Sequence, residues 1–98
     1  NIEFYYSISE IPFNIDKKIR IGGLVVKGSI NYKENNQIEF KLADKKSEVL
    51  VYYNGVIPDL FREGQGIIAT GIMSKKVFIA EILYAKHDEN YKPKIYNQ

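Results

Sequence analysis

Lys86-His87-Asp88-Glu89-Asn90-Tyr91-Lys92-Pro93 holds the chain's only histidine, four residues before a tyrosine. At neutral pH an imidazole with an ordinary pKa near ~6.5 is largely uncharged, and one ring nitrogen then offers a lone pair to a metal or to a carbon electrophile. A tyrosine oxygen is an accepted axial ligand for haem iron. A separation of four residues puts both side chains on one face of a helical turn, or brings them together in a compact turn around a planar ligand. The same residues admit a plainer reading, in which His87 is an ordinary surface histidine and Tyr91 anchors the chain end by packing. Hydrolysis through His87 and Asp88 has less to rest on, because the sequence shows no activated serine, no cysteine and no oxyanion hole.

For His87 and Tyr91 to meet a ligand, the chain before them has to present them from a rigid edge. Its 98 residues are the size of one domain, whose core removes roughly 60% of the unfolded surface from water. Eight tyrosines, five phenylalanines and no tryptophan suit half-buried strand faces. A net charge of +2 is weak support for a polyanion partner, since Lys17-Lys18, Lys45-Lys46 and Lys75-Lys76 are interspersed with Asp and Glu and read as solvated turn and edge lysines. Without cysteine there is neither a disulfide framework nor a thiolate site. No apolar run here spans a bilayer, and Asn1 in place of an initiator methionine raises the expectation that a signal or anchor segment precedes it.

The opening Asn1 to Ile11, with Phe4-Tyr5-Tyr6, reads as a short edge strand or a packed arm, followed by a loop from Pro12 to Asp16. A first strand is expected from Ile19 to Ile30, with Leu24, Val26, Gly28 and Ile30 alternating, and Gly22, Gly23 and Gly28 are expected to allow a bulge or sharp bend. Ile38–Leu42 and Glu48–Tyr53 continue an antiparallel meander through turns at 33–37 and 44–47. The segment 54–64 is the only one resembling a helix, with Pro58 and Asp59 suited to its start and Gly64 to its end. It predicts Leu60 and Phe61 plugging a barrel mouth, with Arg62 facing solvent instead of binding an anion. Gly66–Met73 and Val77–Ala85 supply two more strands.

Three strands, a short helical turn and two strands is the order of an OB-fold, so the expected class is all-β, a five- to six-stranded antiparallel Greek-key barrel. Residues 1–86 form that barrel in this reading. Residues 87–98, polar apart from a few groups such as Ile95 and Tyr96, form a flexible C-terminal tail carrying the His87 motif.

Three stretches together resemble cytochrome c maturation protein E, a family of periplasmic haem chaperones. They are Ile21-Gly22-Gly23-Leu24-Val25 with Gly28-Ser29, the run from Val51 to Gly66 containing Pro58-Asp59-Leu60-Phe61-Arg62-Glu63-Gly64-Gln65-Gly66, and Ala85 to Pro93. A weaker match covers Phe4 to Ile11, where the family commonly has proline and this chain has Ile8. The resemblance implies a non-enzymatic carrier on the periplasmic side of the inner membrane, held there by an N-terminal helix. It also implies haem as a transient, covalently held cargo, with His87 bonded to a vinyl group and Tyr91 on the iron. Its implied partners are the membrane proteins that load haem and those that ligate it into c-type cytochromes.

On that reading Tyr84 is a candidate for the apolar platform under haem, while Lys86 and Lys92 are candidates for its propionates. The alternative drawn from fold analogy alone is a single-stranded nucleic-acid-binding module, in which exposed aromatics stack bases. The near-neutral charge speaks against it, and no nucleic acid is expected as a partner.

Overall fold

The computed structural model describes residues 4–86. Their strands are β1 (Tyr6–Ser7), β2 (Ile19–Val25), β3 (Asn31–Tyr32), β4 (Gln37–Ala43), β5 (Glu48–Asn54), β6 (Gly66–Ser74) and β7 (Val77–Ala85). They hydrogen-bond in the order β1-β2-β6-β7-β5-β4-β3, and a further β2–β4 pairing closes β2, β6, β7, β5 and β4 into a five-stranded barrel. The expected OB-fold architecture is therefore present. Its Greek-key closure runs through a parallel pairing of β5 with β7, and β1 adds to β2 in parallel as well.

Alternation builds the core. Ile38, Phe40 and Leu42 of β4 and Val49, Val51 and Tyr53 of β5 point inward, and Phe40, Phe78, Ile21 and Ile67 are fully enclosed. Each such side chain contributes about 1.5–3 kcal/mol relative to exposure. Phe61 caps one mouth with its ring edge-on to Phe40, centroids 4.9 Å apart and planes at 70°.

Three sequence expectations shift in the structure. The first strand ends at Val25, because Gly28 takes the left-handed conformation (φ 78°) and the Ser29 amide donates to Val26 O at 3.1 Å, making a turn where alternation suggested strand. Segment 54–64 forms single turns instead of a helix. Its backbone groups bond partly within it, the Phe61 amide donating to Pro58 O at 3.1 Å, and partly outside it, the Gly64 amide donating to Val25 O at 2.7 Å and Val56 O accepting from the Tyr53 hydroxyl at 2.6 Å. Only Phe61 plugs the barrel, while Leu60 stays exposed.

The one helical turn among the described residues is instead the 3-10 turn Ile8–Glu10 in the N-terminal arm. Finally, the bulge lies not at the β2 glycines but between β6 and β7. Thr70 pairs with Ile82 and Gly71 with Ala80, leaving Glu81 as the extra residue, its carboxylate 3.0 Å from Lys18 Nζ.

The arm is part of the fold. Ile8 and Ile11 are buried in the core. Asp44 in the β4–β5 turn fastens the arm: its Oδ2 accepts from the Ser9 amide and hydroxyl, both at 2.7 Å, and its Oδ1 accepts from the Lys46 and Ser47 amides, both at 2.8 Å. These bonds, the Ser9 hydroxyl first among them, hold the Asp44 carboxyl well below the usual carboxylate range.

Candidate functional site

Lys86 is the last described residue and immediately precedes His87 in sequence, so the surface around Lys86 is the described surface next to the motif along the chain. Lys86 is fixed at three points. Its amide donates to Gly66 O at 2.7 Å, its carbonyl accepts from Gln65 Nε2 at 3.0 Å, and its ammonium donates to the Tyr5 hydroxyl at 2.8 Å. The same ammonium lies 4.8 Å from the centre of the Tyr5 ring, a cation–π distance.

Two cross-strand rows face outward here. In one, Tyr84 of β7 stands opposite Ile68 of β6, which stands opposite Gly22 of β2. The Tyr5 ring covers Gly22 so closely that a Cβ there would sit 2.6 Å from Cδ1 and Cε1 of the ring. Ile68 is only 4% exposed although it points away from the barrel interior. In the other row, Lys86 bonds to Gly66, Gly66 pairs with Leu24, and Leu24 pairs with Ala43 of β4. Leu24 is 57% exposed, a large apolar side chain standing in solvent.

Beside these rows, where Gly66 carries no side chain, lies an open groove of about 560 Å³. Tyr5, Leu24, Ile68 and Lys86 line it toward β7, and Ala43, Asp44 and Lys45 toward the β4–β5 turn. An open, apolar trough with few polar groups suits a flat hydrophobic ligand. Among the described residues no three His, Cys, Asp or Glu side chains come together as a metal cluster.

Of the sequence-derived site residues, Lys86 lines this groove, whereas Tyr84, half exposed, does not line it and stands on the adjoining row opposite Ile68. His87, Tyr91 and Lys92 lie outside the described residues, as does the whole 87–98 tail. Sequence reasoning missed Tyr5, Leu24, Gln65 and Gly66. The available signal was the Gly22-Gly23 pair in mid-strand, which marks a close approach to the backbone as readily as a bend.

A family model described as the CcmE domain matches residues 2–94. Among curated proteins, the cytochrome c-type biogenesis protein CcmE of Rickettsia typhi is 49% identical over 94 residues, covering 95% of this chain and 73% of that protein. Its counterpart in Agrobacterium fabrum is 41% identical over 99 residues, covering 96% and 60%. Among solved structures, the OB-fold domain of the heme chaperone CcmE from Desulfovibrio vulgaris superposes with a TM-score of 0.62 at 28% identity, covering 78% of this chain and 93% of that one. The yeast Stn1 and Ten1 structure matches with a TM-score of 0.58 at 18% identity, a likeness of fold alone.

Proposed function

The chain belongs to the CcmE family, and from that premise we propose that it carries haem for c-type cytochrome biogenesis, holding its cargo covalently and transiently through His87. The observation that supports this most directly is the apolar groove that ends on Lys86, the residue joined to His87. A porphyrin is flat, apolar and sparingly soluble, and its carrier needs a surface to lie on and a tether against loss. Tyr5, Leu24 and Ile68 provide the surface, Tyr84 stands opposite Ile68 on the adjoining outward row, and Gly66 leaves the trough open toward Lys86. When bound, haem supplies a vinyl group for attachment and iron with an open axial position.

His87 then acts as the tether. Its neutral imidazole nitrogen forms a bond to a vinyl carbon as the C=C π bond opens; a ring proton leaves and the neighbouring carbon takes one up. The net change is addition of N–H across a double bond, with no leaving group and no oxidant, and elimination reverses it. Tyr91 supplies the axial oxygen. The protein is a carrier without a catalytic cycle of its own. It works on the periplasmic side of the inner membrane, anchored through a helix preceding Asn1, between membrane proteins that load haem and others that ligate it.

Mass spectrometry of the protein co-expressed with a cytochrome c maturation system tests this. A mass increase equal to haem on the peptide containing His87, lost in His87→Ala, is expected. Denaturant-resistant haem retained by His87→Ala overturns the proposal.

A further inference from the structure

We propose that Lys45 is the anchor for the carboxylates of a haem lying across the outer face of β2, and that Lys86 is not. This rests on the reading of the groove as a haem platform. In haem the vinyl groups and the propionates occupy opposite edges of the macrocycle. A tether at His87 puts the vinyl edge at the Lys86 end of the groove, so the propionates must lie at the other end. The outward row Lys86–Gly66–Leu24–Ala43 crosses β7, β6, β2 and β4 in register. Three interstrand steps of roughly 4.8 Å give about 14 Å along the curved sheet, a span of the order of the porphyrin's own width. Lys45 follows Ala43 by two residues, lines the groove there and is exposed.

The charges agree. The ion pairs among the described residues engage Lys18, Lys33 and Lys41, and none engages Lys45. Lys86 commits its ammonium to Tyr5, by hydrogen bond and over the ring. The acidic group at the far end is Asp44, and its two oxygens are taken by the Ser9 amide and hydroxyl and by the Lys46 and Ser47 amides. That carboxylate is directed to the arm and the turn, and of the two exposed lysines there, Lys45 and Lys46, only Lys45 lines the groove.

The test compares haemin with haemin dimethyl ester, whose propionates carry no charge, in optical titrations of the haem-free protein. Lys45→Ala is expected to weaken haemin binding about two- to five-fold, the range of one exposed ion pair, and to leave ester binding unchanged. Lys45→Glu should weaken haemin further, and Lys86→Ala should change both ligands alike. An equal loss for both ligands with Lys45→Ala, or no loss, overturns the assignment. If His87 is required for the denaturant-resistant adduct while Lys45→Ala titrates like the parent protein, the carrier reading stands and the Lys45 assignment alone falls. If the parent protein binds no haemin, both fall. Thermal melting of each variant separates lost binding from lost folding.

Discussion

The ammonium of Lys86 donates to the hydroxyl of Tyr5 at 2.8 Å, joining residues 81 positions apart. The aromatic arm that opens the chain thereby holds the residue that leads into His87. The first variants to make are therefore in the arm.

Tyr5→Phe keeps the ring over Gly22 and removes the acceptor. It should cost about 0.5 kcal/mol of stability, the low end for a hydrogen bond because the site is exposed. Tyr5→Ala also uncovers Gly22 and should cost about 1–2 kcal/mol. Chemical denaturation measures both. Hydrogen exchange at the Lys86 amide, bonded to Gly66 O, should quicken in the alanine variant; equal exchange in all three proteins would show that the arm does not hold this end of β7.

Two glycine substitutions should differ sharply. At Gly22 a new Cβ meets the Tyr5 ring, a side chain that can swing away, so Gly22→Ala should cost about 1 kcal/mol. Combining it with Tyr5→Ala should then cost less than the sum of the two, since the clash partner is gone. At Gly71 the new Cβ collides with the Ile79 carbonyl and the Ala80 Cα, both backbone, inside the β6–β7 hairpin. Gly71→Ala should therefore cost about 3 kcal/mol or more, at the severe end for single substitutions. Denaturation midpoints decide, and similar losses at the two sites would contradict the difference in what yields.

Much of this architecture was legible because alternation is a local property. Ile38–Leu42 and Glu48–Tyr53 announce both their strand type and their buried face. The segment 54–64 misled because helix-start and helix-stop residues were present, while the bond from the Gly64 amide to Val25 O, 39 positions away, cannot be read locally. The site divided in the same way. His87 and Tyr91 stand out as residue types at a spacing, whereas Tyr5 becomes a site residue only once β1 has paired with β2 and brought it over Gly22.

Asp44 gives the fold a specific acid sensitivity. Its folded pKa lies below the ordinary 3.8, so its contribution is complete above that value. The contribution shrinks as pH falls below about 3.8 and is gone once pH passes the folded value. Asp44→Asn should lower stability at neutral pH and flatten the acid limb of a stability–pH curve measured by denaturation. An unchanged acid limb would mean that the Ser9 clasp does not couple to folding.

For the tail, Tyr91→Phe separates tether from ligand. Covalent attachment through His87 should persist in this variant, while the Soret and charge-transfer bands of the iron shift, because the axial oxygen is lost. Identical spectra would remove Tyr91 from the iron.

The extra residue in β7 has a bearing on all of this. Phe78 and Ala80 point inward before Glu81, and Leu83 does so after it, with Tyr84 outward. Strict alternation from Phe78 would have sent Ile82 and Tyr84 into the core and Leu83 into water. Glu81 and Ile82 thus face outward in succession, and this one-residue slip keeps Leu83 in the core and Tyr84 on the outer face as β7 leads to Lys86; deleting Glu81 would join Ala80 to Ile82 in plain alternation with the same faces. What would turn this face inward is regular pairing of β7 at its full length, not the loss of a residue.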